Sequence, residues 1–436
     1  MDPATQTHCV LLLDLPERAL GGIDLLSFTT TPRFRGVKNV PPGLHFVFAA
    51  SDSSLAVRHG AWFYVSPGAG APQVFVKRWN AQNEDLVAET SQTEVLRWRA
   101  NLGSIWRDGL TPYRQTLTSG ESGEDDDAME ESSDWNELTS RITPTLLSRI
   151  NGLHPDHWSL SSASSAAQDL EDIPGLESSN SALHPEQELK FLPVDLKRTW
   201  RVGATGRERT EAAQDRSWAL GELIENHGQS KDMRSRQFEI VGEIQFCFLM
   251  VLTLNNNSCL EQWKRLLGLM LTCRQAIKER FSMFHEMLKT LRLQLAHCAD
   301  MEGSMFDHHE PGGGFLKPLL EKFRKALDEM AGSKQKIELV DEFEDLQDFL
   351  QKEFGWELDD STYVKRGMLD LEDGERVEMD MNGVDEDDEA GEYAPAIVEL
   401  TPTQWKELTG TSFDTKAGAG DYSEEETDLD GMDTRY

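Results

Sequence analysis

The sequence predicts an α+β multidomain protein: an N-terminal β-sandwich-like domain, a C-terminal all-α helical domain and an extended acidic tail. Three observations predict it. Short apolar runs separated by Gly and Pro fill the chain up to about residue 115. From about 205 to 355 the apolar residues recur at spacings of three and four. Beyond Trp356 the composition turns acidic: residues 367–436 hold 22 acidic and 4 basic side chains.

The elements follow in order. Cys9–Leu13 reads as a short buried strand, and Leu44, Phe46 and Phe48 mark the apolar face of a second. Trp62–Val65 and Val74–Trp79 are two more, joined across the Gly/Pro turn at 67–72. Glu94–Leu102 has helical character. Residues 116–133 form an acidic Ser/Gly insertion. After it Trp135, Leu138, Ile142, Leu146 and Ile150 step at helical spacing and close the first domain, taken as 1–155. Residues 156–190, rich in Ser, Ala and Pro, read as a linker. In the second domain, 191–358, Ala212–Glu225 is a first amphipathic helix. Phe238–Leu254, apolar on most sides, is a central buried one. Ser258, three residues before Glu261, reads as the N-cap of the next. Stripes at Leu260–Met270, Phe281–Cys298, Phe315–Met330 and Leu339–Leu350 complete five to seven helices. The tail, 359–436, carries one apolar island at 393–400.

Charge narrows the function. The net charge is −34, with 43 Lys and Arg against 77 Asp and Glu. An acidic surface does not displace the counterions of a phosphate backbone, so no direct nucleic-acid binding is expected. Much of the excess sits in the tail and in residues 121–137, which hold nine acids and neither Lys nor Arg. Residues 190–236 are the one locally positive stretch of any length, with ten bases and seven acids. The five cysteines contain no CxxC pair and lie mostly in apolar stretches, so they read as buried thiols in a reducing compartment. The N-terminus lacks the basic region of a signal peptide, and the longest apolar run, Phe246–Leu252, is far short of a membrane span. The expectation is a soluble intracellular protein, monomeric when free.

Catalytic signatures are scarce. The chain has no GxGxxG after a strand, no Walker loop and no HExxH. Gly120-Glu-Ser-Gly123 lacks the spacing of a nucleophile elbow. His308 and His309 are adjacent, so on a helix they would point apart, and Pro and three Gly follow. No cofactor, metal or catalytic residue is expected. The island Ala394, Pro395, Ala396, Ile397, Val398, Glu399, Leu400 is more informative. An extended apolar segment between solubilising flanks can add itself to the open edge of another sheet.

Several motifs carry a resemblance. Gly22-Ile-Asp24, Phe34-Arg-Gly36-Val-Lys38, Pro41-Pro-Gly43-Leu-His45 and Gly60-Ala-Trp62-Phe63 resemble the N-terminal domain of the A1-cistron splicing factor family. Gly242–Phe246, the run Gln262-Trp263-Lys-Arg265, Phe349–Trp356 and the island resemble its helical C-terminal domain and its end. The resemblance implies a spliceosome assembly factor that is not an enzyme. Its implied partner is the large central scaffold protein of the U5 snRNP, bound at the RNase H-like and Jab/MPN domains. It implies cytoplasmic and nuclear residence, a VHS-like helical domain, and a tail strand, here Ala394–Leu400, bridging the two scaffold domains. The motif residues of the folded domains receive no individual role from it. An acidic chaperone for basic clients such as histones is the alternative that composition alone leaves.

Overall fold

The computed structural model describes residues 7–52, 56–68, 71–113, 134–167, 169, 188–298, 314–330, 334–356 and 358, and the backbone of 366–370 and 376–380. The chain divides into two units, 1–361 and 362–436.

Ten strands of the first unit build two sheets: β1 (His8–Leu13), β2 (Leu20–Ile23), β3 (Leu26–Thr29), β4 (Gly36–Val40), β5 (Gly43–Ala50), β6 (His59–Val65), β7 (Val74–Asn80), β8 (Asp85–Ala88), β9 (Leu110–Pro112) and β10 (Ser159–Ser161). One sheet runs β8-β7-β1-β4-β9, the other β10-β6-β5-β2-β3. The second is antiparallel throughout. In the first, β1–β7 and β4–β9 are parallel pairs. Val10 and Leu12 of one sheet meet Val47, Ala49, Phe63 and Val65 of the other in a common core. On the outer face of the first sheet Val76 packs with Val95 and Trp98 of α1 (Gln92–Ile105).

Helices continue as α2 (Pro144–Ile150), α3 (Gly206–Gln214), α4 (Ser217–His227), α5 (Met233–Leu254), α6 (Asn257–Met270), α7 (Gln275–Glu279), α8 (Phe281–Ala296), α9 (Leu316–Asp328) and α10 (Lys334–Phe354). α5 is long and apolar enough to cross a membrane by composition, but 89% of its apolar window is buried inside the protein, so it is the core helix. Sheet residues Phe46, Phe48 and Trp62 share one core with α5, α6, α8, α9 and α10. The β-rich and helical parts of this unit are therefore packed on common side chains. The second unit shows one antiparallel hairpin, β11 (Arg366–Asp370) with β12 (Arg376–Asp380).

The α+β layout agrees with the sequence; several local expectations change. Ala212–Glu225 is not one helix. Asp215 leaves the helical path, and its carboxylate accepts from the Arg274 and Gln275 amides at 2.9 and 3.1 Å, joining the start of α7 to the α3–α4 corner. The spacing from Trp135 to Ile150 is broken too, because Thr143 caps the Leu146 amide and Pro144 opens a new helix. The N-cap of α6 is Asn256, bonded to the Cys259 amide at 2.8 Å, and not Ser258. The Ser258 hydroxyl instead accepts from the Ala166 amide at 2.9 Å. Eight helices lie between residues 206 and 354 among the described residues, where five to seven were expected, because of the Asp215 break and the five-residue α7. Within the expected linker, Ser159–Ser161 adds an edge strand to β6. All five cysteines are free and buried, and burial pushes the Cys9 thiol up to about 12.

Candidate partner-binding regions

The N-terminal motif residues form one buried construction. Asp24 sits at φ 55° in the β2–β3 turn and is fully buried. Its carboxylate accepts from the Phe46 amide at 2.8 Å, from His45 Nδ1 at 2.7 Å and from the Tyr113 hydroxyl at 2.6 Å. His45 Nε2 lies 2.9 Å from the Pro41 carbonyl. Both partners of the imidazole are acceptors, an arrangement that favours the form in which both ring nitrogens donate. Burial alone would lower its pKa. The charge and hydrogen bond of Asp24, with the Pro41 carbonyl, outweigh burial and raise it above the ordinary 6.5. One acid thus ties the β2–β3 turn, β5 and the end of β9 together.

The remaining motif residues are also architectural. A Cβ on Gly22 or Gly60 would fall 2.1 Å from the ring of Phe48 or Phe46, so these strands stay bare to seat the aromatic rows. Gly36 has φ 149° and lies against the Val10 carbonyl, a place that excludes a side chain on both counts. Gly43, at φ 140°, opens β5. Phe34 packs edge-on against Phe28 at 5.2 Å, and Phe63 meets Phe75 at 4.8 Å. Lys38 donates to the Trp106 carbonyl at 2.6 Å while lying over the indole ring. Trp62 stacks at 6.0 Å on both Trp135 and Phe246, where sheet and helices meet.

The motifs of the helical part pin the same junction. Glu243 of α5, fully buried, is bonded to Arg149 of α2 and accepts from the Leu192 amide at 2.9 Å and from Gln262 of α6 at 2.8 Å. Helix α2, the chain at Leu192 and helix α6 are thereby fixed to the core helix through one carboxylate. Gln245 accepts from the Arg141 amide at 2.8 Å and donates to the Glu137 carbonyl at 3.0 Å. Trp263 donates to Gln294 at 3.0 Å, and Arg265 pairs with Asp169 at 2.7 Å. Sequence reasoning passed over Glu243, Gln245, Gln262 and Arg149 as individual anchors. The available signal was polar side chains inside an otherwise apolar helix, which must find partners once buried.

None of these residues assembles with a nucleophile and base into a reacting centre. Among the described residues no three His, Cys, Asp or Glu side chains converge as metal ligands. The island Ala394–Leu400, His308, His309 and the Gly120–Gly123 run lie outside the described residues.

Sheet sandwich, helical stack and a junction locked by buried polar side chains define the class: a two-part α+β protein whose distinctive residues hold its own parts in register. Two family models match, the AAR2 N-terminal domain over residues 6–152 and the AAR2 C-terminal repeat region over 191–359. The chain is 26% identical over 379 residues to "Protein AAR2 homolog" of Mus musculus, covering 80% of this chain and 89% of the relative. It is 25% identical over 378 residues to that of Homo sapiens, with the same coverage, and 25% identical over 303 residues to that of Caenorhabditis elegans, covering 66% of this chain and 78% of the relative. The chain belongs to the AAR2, or A1-cistron splicing factor, family. Membership supports a role in splicing-related snRNP assembly.

Proposed function

We propose that the protein is a U5 snRNP assembly factor that performs no covalent chemistry and uses no cofactor. It binds the RNase H-like and Jab/MPN domains of the large central scaffold protein, holds them together in the precursor particle, and covers surfaces that the helicase or RNA uses later. It acts in cytoplasm and nucleus. The observation that carries this reading is the match of both family domains, in family order. The locked junction supports it: a clamp needs its two parts rigid with respect to each other, and the core shared by Trp62, Trp135 and Phe246 resists bending. We read the helical part as VHS-like.

In this reading the tail segment Ala394–Leu400 supplies a strand to the partner. Main-chain hydrogen bonds give the contact its strength and alternate side chains its register. The test is Ile397→Pro and Val398→Pro, made separately, in titration calorimetry against a fragment holding both scaffold domains. Proline removes a ladder N–H, so at least one variant binds about tenfold or more weakly. Affinity unchanged in both removes the strand from the mechanism. No binding by the unaltered protein removes the partner. Histone binding that fades with salt and with loss of the acidic runs, while the tail strand is dispensable, would favour the chaperone reading instead.

A further inference from the structure

The edge of a sheet is a row of main-chain donors and acceptors, and proteins blunt such rows unless they use them. The two sheets of the first unit end in four edge strands, β8, β9, β10 and β3. Three of these are blunted. The Trp158 carbonyl and the Ser162 amide bond toward β6, which turns Ser161 of β10 outward. There the Ser161 amide donates to Ser164 Oγ at 3.0 Å and its carbonyl accepts from Asn256 at 2.8 Å, so that row is closed. The Gly109 carbonyl and the Tyr113 amide bond toward β4, which turns Leu110 and Pro112 of β9 outward, and proline has no N–H to offer. β8 is headed by Glu84 and Asp85, charges that discourage an added strand.

β3, Leu26-Ser-Phe-Thr29, has none of these devices. It pairs with β2 alone, in an unbroken register. The Asp24 amide bonds across to Phe46 of β5 at 2.7 Å, and the Thr30 amide bonds to Ala19 at 2.8 Å. Alternation along an antiparallel ladder then makes Gly21 with Phe28 and Ile23 with Leu26 the bonded pairs. The N–H and C=O groups of Ser27 and Thr29 therefore point away from the sheet, and among the described residues nothing bonds to them. The side chains of Ser27 and Thr29 are exposed as well. No charged residue lies between Leu25 and Pro32. Leu26 and Phe28 share the opposite face and are half-buried, Phe28 against Phe34 at 5.2 Å.

We propose that the β3 edge takes up an extended, uncharged segment of a partner protein as a sixth strand of the β10-β6-β5-β2-β3 sheet. The open main-chain groups define the occupant, because an extended backbone is what presents donors and acceptors at every second residue. The two faces define its sequence: apolar side chains at alternate positions to cover Leu26 and Phe28, and Ser or Thr beside Ser27 and Thr29. A second copy of this chain is opposed by repulsion between two molecules that each carry a net charge of −34. The site lies on the sandwich, apart from the tail strand, and does not depend on the identity of the scaffold partner.

The test is fluorescence polarisation of the full-length chain with a labelled Ser-Val-Thr-Val-Ser-Val peptide. The same sequence N-methylated at each residue has no N–H to donate and serves as the comparison. The unmodified peptide is expected to bind at least about tenfold more tightly. Ser27→Pro removes an amide that faces away from the sheet and so leaves the sheet's own bonds in place. Thr29→Lys sets a charge on the edge. Each weakens binding at least about tenfold, while Val87→Lys, a charge on the β8 edge, leaves it unchanged. Circular dichroism confirms that the variants are folded, and hydrogen exchange at the Ser27 and Thr29 amides slows when the peptide is added. Equal binding of the methylated peptide overturns the proposal, as does affinity unmoved by both Ser27→Pro and Thr29→Lys, an equal loss in Val87→Lys, or no binding at about 1 mM peptide. Peptide binding that appears only in Ile397→Pro also overturns it, making the chain's own tail the occupant. A dimer that Thr29→Lys dissolves, while the peptide stays inert, would instead assign the edge to a second copy.

Discussion

Lys77 offers the sharpest test of how the sandwich is built. Along β7, Phe75 and Trp79 belong to the core between the sheets, and Val74 and Val76 face α1. Alternation places Lys77 on the inward side with Phe75 and Trp79. It is 5% exposed and has no hydrogen-bond or ion-pair partner among the described residues. Burial drives its amine down to about 8 from the ordinary 10.5, against a weaker opposing pull from the charge of Asp156. At about 1.4 kcal/mol for each tenfold in proton affinity, keeping this lysine charged in the fold costs about 3 kcal/mol near neutral pH. Lys77→Met keeps an unbranched side chain of similar reach and discards the charge. The variant is expected to be more stable than the native chain at neutral pH by about 2–3 kcal/mol, read from urea denaturation. The sign of the pH dependence follows from the lowered pKa. Between about 8 and 10.5 the unfolded lysine holds more proton than the folded one, so native stability rises with pH across that window. The gap between variant and native chain is full below about 8 and closes as pH approaches 10.5. A variant no more stable than the native chain at neutral pH, or a gap of constant size, would refute the assignment of Lys77 as a charged group confined in the core.

Two further outcomes test the other buried charges. Glu243→Ala strands the Arg149 guanidinium, the Leu192 amide and Gln262 together, so denaturation should show a loss of about 3–5 kcal/mol. For His45 the sign is opposite to that of Lys77. The His45 pKa is raised above 6.5, so its stabilisation is complete below the unfolded value and fades as pH rises through the folded one. Asp24→Asn should abolish that slope, and imidazole titration by NMR should show the His45 pKa falling.

The motif residues of the two folded parts have structural places. Asp24, His45, Trp62, Phe63 and Trp263 are buried, and each fixes one element to another. They keep the two parts in register, and substitution there should act on partner binding through the fold. The segment proposed to touch the partner, Ala394–Leu400 in the tail, is at the far end of the chain. A mutational survey that separates stability from affinity will therefore see two populations.

Much of the fold was legible because the signals are local. Alternation marked β5, the Gly/Pro turn at 67–72 marked β6 and β7 on either side of it, and spacings of three and four marked α8, α9 and α10, since a buried face repeats with the period of its own backbone. Glu243 and Gln245, polar within the apolar α5 stretch, carried a requirement for partners that the sequence analysis did not draw. What only the tertiary structure decided were the choices made by groups far apart in sequence. Asp215 breaks a helix because it meets the start of α7 some sixty residues later. Asn256 caps α6 while its amide donates to the Ser161 and Ser164 carbonyls, both at 2.8 Å, freeing Ser258 for Ala166. Ser159–Ser161 becomes a strand because β6 offers it an edge. The amino-acid order sets which faces must be buried; the three-dimensional packing sets which distant donor meets which acceptor, because a buried hydrogen bond is decided by geometry at both of its ends.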